Sequence, residues 1–458
     1  MSHSPLPVRP LYRRDLLQGL FASLALGCSV SDRETAELPK EGAKEGANDG
    51  ANDGAKPGPQ FDAKDPEPDT TPPGPVDEET AMDIGKRIDA FAFDFYAQLR
   101  TSPGNLVYSP ASIALAFAMV HAGARGNTAA ELAKVFHLNG DLETVHAGFA
   151  DVVRRWQSAK EGLELSVANR LFGERTTPFA KPYLALTDRI FAAPLEQVDF
   201  KKAAEAARGR INGWVAERTK DRIRDLVPEG GIDNSTRLVL VNAIYMKAAW
   251  ADPFSESATK PGDFLAPSGK ITAKFMRSVR HVRSGVVKAD GIQWAELPYE
   301  GGPYAMAFVL PDGPAGLAKV EAGLTDAKLR AWLEGGDYRR LDLQVPKFKI
   351  EPGDPVALSK MLATLGVKTA FGGTADFTGM APAAEQLQLA EAFHKAFIAV
   401  DEKGTEAAAA TAVGMRAGSA PPSGEPIPFK LDRPFLFVLR DTQTGAILFM
   451  GRVESPKA

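Results

Sequence analysis

The order in which two apolar patterns follow each other along the chain constrains its fold more than any other sequence feature. In the first half, apolar residues recur every three or four positions, which predicts amphipathic helices at 81–99, 128–138, 142–156 and 203–219. Another helix should begin after Ser109, a good N-cap, with Pro110 in its first turn. In the second half, the pattern is strand-like. Several segments are apolar at both odd and even positions, as in strands that are covered on both faces. The strand-like segments are 237–247, 292–297, 304–310, 341–345, 397–400, 435–439 and 447–453. Helices followed by strands predict the α+β class, with helices packed on large sheets.

Residues 1–28 have the pattern of an export signal. Arg13 and Arg14 precede an apolar stretch that ends at Cys28. This pattern resembles a bacterial lipoprotein signal, in which Cys28 becomes the acylated first residue, and the paired arginines also resemble a twin-arginine signal. The alternative is a plain signal peptide that is cleaved nearby, with Cys28 lost. Both interpretations predict an extracytoplasmic protein, either a cell-envelope lipoprotein or a secreted one.

Residues 29–80 are rich in Gly, Asp, Ala and Pro and almost free of large apolar side chains. Such a segment cannot bury enough surface to offset the entropy of ordering it, so a disordered linker is expected. The folded domain should therefore occupy 81–458. No run of eighteen apolar residues occurs, so lipidation of Cys28 is the only membrane attachment that the sequence predicts.

Composition and motifs exclude several functional classes. A net charge of -4 without basic blocks gives no indication of a nucleic-acid partner. Cys28 is the only cysteine and the six histidines lack ligand spacing, so neither an intrachain disulfide nor a metal or cofactor is expected. The nucleophile-elbow, phosphate-loop and dinucleotide motifs are absent, so an enzyme is not expected.

One segment near the C-terminus carries a family resemblance. Residues 400–412 (VDEKGTEAAAATA) closely resemble the hinge of inhibitory serpins, and other serpin-like motifs occur in the family's order at 105–113, 241–245 with Trp250, 346–348, 376–380, 432–437 and 448–453. Taken alone, 406–412 reads as an alanine-rich surface helix, and Asn242 or His394 reads as a hydrogen-bonded core residue. The shared order of the motifs is what favours a serpin over 81–458.

The resemblance implies a fold and a mechanism. It implies a serpin fold with an exposed reactive-centre loop, and a secreted, irreversible suicide-substrate inhibitor of serine or cysteine proteases that acts as a monomer. After cleavage the loop would insert as a strand of the main sheet and trap the acyl-enzyme. The hinge of that loop would be formed by Glu402, Lys403, Gly404, Thr405, Glu406, Ala407, Ala408, Ala409, Ala410 and Thr411. The polar cluster and entry point that gate the sheet would be Ser109, Ser112, Asn242, His394 and Trp250.

The residue pattern of the loop suits insertion. Alternate side chains of a strand point to opposite faces. One parity is small or uncharged (Thr405, Ala407, Ala409, Thr411, Val413, Met415), whereas Glu406 and Arg416 both fall on the other. No proline interrupts 402–420, so no ladder hydrogen bond is lost there.

The sequence offers more than one candidate for the reactive bond. The family's usual spacing places it at Gly418-Ser419, whereas Arg416-Ala417 would better suit a trypsin-like protease. Met415-Arg416 or Val413-Gly414 would suit a chymotrypsin-like or elastase-like enzyme. A serpin-fold protein that binds a partner without inhibiting remains the alternative function.

Overall fold

The computed structural model describes residues 71–158, 162–351, 353–406 and 424–457, all of which belong to one unit, Pro66–Ala458. In this part of the chain the helices are α1 (Glu78–Leu99), α2 (Pro110–Gly123), α3 (Gly126–Val135), α4 (Leu142–Gln157), α5 (Lys181–Phe191), α6 (Phe200–Arg218), α7 (Gly316–Ala322), α8 (Asp326–Glu334) and α9 (Leu358–Leu365). Helix α1 thus begins before residue 81, the boundary expected from sequence.

The strands of the described residues are numbered in chain order like the helices. The first eight are β1 (Leu106–Tyr108), β2 (Leu163–Glu174), β3 (Glu196–Val198), β4 (Leu238–Ala249), β5 (Lys260–Ala266), β6 (Gly269–Val287), β7 (Ile292–Pro298) and β8 (Tyr304–Pro311). The others are β9 (Asp337–Pro346), β10 (Phe348–Ile350), β11 (Val356–Ala357), β12 (Glu391–Val400), β13 (Gly404–Thr405), β14 (Ile427–Lys430), β15 (Phe435–Asp441) and β16 (Ile447–Val453).

Two sheets organise these strands. A nine-stranded sheet has the order β1-β16-β15-β8-β7-β6-β9-β14, with β5 paired to β6. A seven-stranded sheet, called the main sheet below, has the order β10-β12-β13-β4-β2-β3, with β11 paired to β12. Helices packed on large mixed and antiparallel sheets confirm the predicted α+β class.

Helix α2 is held against the back of the main sheet. Ser109 is its N-cap, because its side chain accepts a hydrogen bond from Ser112 N, and Pro110 occupies the first turn as predicted. Almost every residue of α2 is buried, so the helix lies inside the domain rather than on its surface. This position brings the polar N-terminus of α2 beneath the centre of the main sheet.

Strand β4 is buried on both faces, as predicted from its apolar residues at both odd and even positions. Its odd-numbered residues, such as Val241 and Tyr245, pack in a core with Ile211 and Trp214 of α6. Its even-numbered residues, such as Ile244, join the larger core that includes α2. The main sheet is therefore sandwiched between α6 and α2.

The main sheet opens at one end. Strands β4 and β12 pair directly in parallel from Val239↔Glu391 to Tyr245↔Phe397. Beyond that pair they diverge, and β13 enters the gap antiparallel to both: Gly404↔Ala249 and Thr405↔Ala248 on one side, Thr405↔Val400 on the other. The first residues of the predicted hinge are thus already a short strand of this sheet.

Candidate functional site

Thr405 is the first hinge side chain inside the opening of the main sheet. It is 1% exposed, and its hydroxyl lies 2.5 Å from the hydroxyl of Tyr299. The ring of Tyr299 stacks on Trp250 with centroids 4.4 Å apart, and Trp250 Nε1 donates to the carbonyl of Asp401 at 3.0 Å. Two buried aromatic rings therefore form the wall against which the hinge turns inward.

Backbone hydrogen bonds fix the hinge on both sides. Trp250 N donates to Lys403 O and Phe254 N donates to Glu402 O, each at 2.8 Å. On the other side, Glu406 N donates to Ala399 O of β12 at 3.0 Å. The hinge is thus held by main-chain bonds that do not depend on side-chain identity.

Gly404 is required where the hinge passes β4. Its φ is +151°, and a Cβ built there would lie 1.9 Å from the carbonyl oxygen of Ala248. Only glycine can adopt this conformation at this approach. The family resemblance assigned Gly404 to the hinge, and the close contact with β4 gives the physical reason for the residue.

Glu402 anchors the segment that precedes the hinge. Lys347 Nζ donates to Glu402 Oε2 at 2.7 Å, and Thr259 Oγ1 donates to Oε1 at 2.8 Å. Burial alone would raise the pKa of Glu402, but these hydrogen bonds hold the pKa below its ordinary value. The carboxylate is therefore ionised at neutral pH and ties the hinge to the turn between β9 and β10.

Glu406 is held under strain on the opposite face of the main sheet. Its φ is +47°, an uncommon conformation for a residue with a side chain, and its carboxylate forms an ion pair with Arg222. The Oε2 atom is buried and has no hydrogen-bond partner. Burial raises the pKa of Glu406 despite the nearby Arg222. The chain is thus distorted at the residue that directly follows β13.

A buried polar cluster lies deeper under the same two strands. Asn242 Nδ2 lies 2.7 Å from Ser112 O, 2.8 Å from Ser112 Oγ and 2.6 Å from Asn169 Oδ1. Asn169 Nδ2 also donates to Ser112 O at 3.0 Å. Asn242 on β4, Asn169 on β2 and the start of α2 are therefore one hydrogen-bonded unit.

His394 connects this cluster to β12. Ser109 N donates to its Nε2 at 3.2 Å, so the ring proton sits on Nδ1, which donates to Asn242 Oδ1. Burial lowers the pKa of His394 to about 3, and a proton on Nε2 would also face the Ser109 N–H. The imidazole is neutral and bridges the two strands that must separate if the loop is to enter.

The structure brings together several residues predicted from the sequence. Ser109, Ser112, Asn242 and His394 form the cluster, and Trp250 lies at the entry with hinge residues 402–406. The remaining predicted residues lie outside the described part of the chain: Cys28, Ala407, Ala408, Ala409, Ala410, Thr411, Arg416, Ala417, Gly418 and Ser419. The roles assigned to all of these residues stay predictions.

Four residues of the site were not predicted. Asn169 completes the cluster, Tyr299 contacts Thr405, Arg222 pairs with Glu406, and Lys347 pairs with Glu402. Asn169 had some signal, because it is a polar residue that directly follows the apolar Val167 and Ala168. Lys347 belongs to the serpin-like motif at 346–348, although its pairing with Glu402 was not predicted. Tyr299 and Arg222 gave no signal, since each acts only through a partner distant in sequence.

The described residues include neither a group of metal ligands nor a membrane-spanning helix. No group of three or more His, Cys, Asp or Glu side chains is placed there to hold a metal ion. No helix in these same ranges is long and apolar enough to cross a membrane.

Comparison with known proteins supplies the family. The profile described as "Serpin (serine protease inhibitor)" matches residues 86–456. This chain belongs to the serpin family. Serpins of this profile are protease inhibitors, not enzymes, and the serpin fold here places the hinge, the entry point and the polar cluster along one line between β4 and β12.

Individual relatives extend the match over most of the serpin. Leukocyte elastase inhibitor of Homo sapiens is 40% identical over 380 residues, covering 80% of this chain and 97% of that protein. Ipis-1 of Ixodes persulcatus is 38% identical over 377 residues, covering 81% and 98%. Among solved structures, uncleaved ovalbumin aligns with a TM-score of 0.74 at 29% identity, covering 81% of this chain and all of its own. Human thyroxine-binding globulin complexed with thyroxine aligns at 0.75 and 28%, covering 83% and 100%.

Proposed function

We propose that this serpin is a single-use inhibitor that traps serine proteases, or cysteine proteases, by inserting its cleaved loop into the main sheet. One observation carries the proposal: Gly404 and Thr405 already pair between β4 and β12, although those strands pair directly with each other further down. Insertion therefore extends a strand that has begun, and needs no new nucleation.

The register of β13 predicts where each loop residue would come to lie. Because β13 is antiparallel to β4, each step of two along the loop moves two residues back along β4. Thr405 lies opposite Ala248 of β4 and Val400 of β12. Continued by six residues, this register would place Thr411 opposite Asn242 of β4 and His394 of β12. Met415 would come opposite Leu238, where β4 begins. All loop residues on this buried parity are uncharged, so none leaves an ion in the core.

The chemistry belongs to the protease. Its hydroxyl or thiol attacks the carbonyl of the reactive bond, the amide nitrogen leaves with a proton, and the N-terminal part of the loop remains as an acyl ester or thioester. Insertion to Met415 would add about ten residues to the main sheet and move the acyl group roughly 35 Å along it. The protease is then displaced and distorted before water can hydrolyse the acyl bond.

The same register favours one reactive bond. Gly418 lies a few residues beyond Met415, which leaves a short tether between the end of the sheet and the acyl group. Cleavage at Arg416-Ala417 would leave hardly any tether, so the attached protease would hinder the last step of insertion. We therefore favour Gly418-Ser419, and mass spectrometry of the peptide released from the complex identifies the bond.

A protease panel tests the proposed function. The serpin is mixed with trypsin, chymotrypsin, leukocyte elastase and a papain-type cysteine protease, and the products are separated under denaturing conditions. We expect a covalent one-to-one complex with at least one protease, formed by a monomeric serpin. Cleavage by every protease without any complex would contradict inhibition.

We also propose that the protein is exported and anchored through a lipid on Cys28, as the pattern of residues 1–28 suggests. Growth with an alkyne-labelled fatty acid in a bacterial host should label the wild type and leave the Cys28→Ser variant unlabelled. A mature N-terminus at a residue other than 28, with no label, would contradict lipidation and favour a plain secreted form.

A non-inhibitory binding protein is the second candidate. It is favoured by the structural likeness to thyroxine-binding globulin, whose solved structure holds thyroxine. The small, uncharged parity of the loop argues against it, because a loop that only binds has no need to fit between two strands. Comparison of heat stability before and after cleavage of the loop separates the two candidates.

A further inference from the structure

A cavity of about 520 Å³ lies beside the segment that precedes β13. Its volume falls within the range of roughly 300–1,000 Å³ that is typical of small-ligand sites. The described residues that line it include four lysines from four different segments: Lys260 on β5, Lys274 on β6, Lys347 after β9 and Lys403 in the hinge. Folding therefore gathers cations that are distant in sequence around one space.

Main-chain hydrogen bonds hold the walls of this cavity in place. Lys347 N donates to Lys274 O at 2.8 Å, which joins the turn after β9 to the start of β6. Lys260 lies directly opposite Phe275 in the ladder between β5 and β6. Trp250 N donates to Lys403 O at 2.8 Å, which fixes the hinge side of the cavity. The lysines are therefore mounted on ordered backbone, and the cavity exists before any ligand enters.

The carboxylates that line the cavity already have partners. Both oxygens of Glu402 accept hydrogen bonds from side chains, as described above. Asp401 Oδ1 accepts a hydrogen bond from Lys403 N at 2.9 Å. Glu256 lies 3.9 Å from Lys403 Nζ, and its side chain is 74% exposed, so water and salt screen its charge. These three groups therefore do not neutralise the other lysines of the cavity.

Lys260 and Lys274 are the cations that remain free. Both are exposed, and neither side chain forms an ion pair or a hydrogen bond with any residue that the structure describes. The lysine ammonium is a compact charge with three donors, which suits phosphate oxygens. Two such lysines, with Lys403 on the wall of the same cavity, match a small anion that carries at least two negative charges.

We propose that this cavity binds a small phosphate-type anion, such as inorganic diphosphate, and that the bound anion fastens the hinge to the nine-stranded sheet. Lys260 and Lys274 belong to that sheet, whereas Lys403 directly precedes β13. An anion that contacts all three lysines bridges the two parts and holds β13 between β4 and β12. The inference goes beyond the proposed function and does not depend on cleavage of the loop.

Calorimetric titration of the intact, full-length serpin with inorganic diphosphate tests the site. The ionic strength is held constant with sodium chloride, because a change in screening alone would alter any surface contact. We expect saturable one-to-one binding. Lys260→Ala and Lys274→Ala should each weaken it about tenfold, the loss expected for one charge-assisted hydrogen bond. Lys274→Arg keeps the charge and should stay within about threefold of the wild type.

A matched control comes from the other end of β6. Lys288 is exposed in the turn that follows this strand, so Lys288→Ala removes the same charge away from the cavity and should leave binding unchanged. Without diphosphate, the urea midpoints of all these variants should equal that of the wild type, because the mutated lysines are exposed and unpaired among the described residues.

Hydrogen exchange tests the link to the hinge. The amides of Trp250 and Phe254 donate to the carbonyls of Lys403 and Glu402, so they exchange when the hinge leaves the sheet. An anion that binds only the docked hinge suppresses this opening by one plus its concentration divided by Kd, about tenfold at ten times Kd. Exchange of both amides should slow by this factor in diphosphate, and by only about twofold in Lys274→Ala at the same concentration.

The outcomes are decisive in both experiments. Absence of saturable binding, or binding that Lys260→Ala and Lys274→Ala leave unchanged, would overturn the site. Binding at the site with unchanged exchange of the Trp250 and Phe254 amides would overturn the bridge to the hinge. No protease is present in either experiment, so failure of this inference is distinguishable from failure of the proposed function.

Discussion

Thr405 and Tyr299 meet inside the main sheet with their hydroxyl oxygens 2.5 Å apart. The contact lies at the point where β4 and β12 stop pairing with each other, and Trp250 covers it from the other side of the Tyr299 ring. The uncleaved chain therefore holds the start of its hinge inserted between β4 and β12.

Thr405→Arg should convert the inhibitor into a substrate. A guanidinium cannot stay beside Tyr299 without losing its hydration, which costs several kcal/mol, so the hinge of the variant should leave the sheet and insertion should have to begin anew. Each 1.4 kcal/mol that this adds to the barrier slows insertion about tenfold relative to hydrolysis. The stoichiometry of inhibition should therefore rise by about tenfold or more. Titration of protease activity against serpin concentration measures it.

Thr405→Ser is the matched control, because it keeps the hydroxyl and the small size. Its stoichiometry should equal that of the wild type. If Thr405→Arg still traps protease one to one, the hinge does not need to enter the sheet, and the proposed mechanism is wrong.

Lys347→Ala should destabilise the uncleaved serpin. It leaves the 92% buried carboxylate of Glu402 without its cation, but Lys347 is 26% exposed and water can partly replace it, so we expect a loss of about 2–3 kcal/mol. The urea midpoint measures the change. Lys403→Ala is the control: its pair with Glu256 is 3.9 Å long and exposed, so its effect should stay within about 0.5 kcal/mol.

Thr411→Val should affect only the cleaved form. The β13 register places Thr411 between Asn242 and His394, whose mutual hydrogen bond must break to admit it. Valine fills the space without replacing that bond, which leaves buried polar groups unpaired at a cost of about 1–3 kcal/mol. The melting temperature of intact Thr411→Val should match that of the wild type, whereas the increase on cleavage should be smaller. Thr411→Ser should restore the full increase, and equal increases for all three proteins would contradict the register.

Stability should fall as the pH drops below neutral. The pKa of His394 is about 3 in the folded chain against an ordinary value of 6.5, so between these values the unfolded chain binds a proton that the folded chain does not. Each such histidine removes about 1.4 kcal/mol of unfolding free energy per pH unit. The buried His146, with a pKa of about 4, acts in the same direction. Urea midpoints should decline from pH 7 to pH 4 for the wild type, and less steeply for His146→Gln.

Much of the fold could be predicted because it follows local rules. Strand β16 has the predicted bounds, Ile447–Val453, and α2 begins after the predicted N-cap, Ser109. In each case the decisive signal lies within a few neighbouring residues: an apolar run covered on both faces, or a capping side chain followed by proline. Strands β7 and β8 were found in the same way, with their ends one residue further than expected.

The rest depends on contacts between distant segments. Strand β2 (Leu163–Glu174) lies in the helical half of the chain and was missed, because only 163–167 alternate apolar and polar residues, a pattern too short to identify a strand among helices. Strand β6 (Gly269–Val287) was missed because its lysines and arginines fall on both parities, so its sequence shows no regular alternation. The pairing of Glu406 with Arg222, and of Thr405 with Tyr299, arises only when the sheet is assembled.

The most direct test of the account is the melting temperature of the serpin before and after a single cut in the loop. An inserted strand would add about ten backbone hydrogen bonds at roughly 1 kcal/mol each, so the melting temperature should rise by roughly 10 °C or more. The severed segment should also become resistant to further proteolysis. A nicked chain that melts at the same temperature as the intact one, with residues 407–415 still open to a second protease, would contradict insertion.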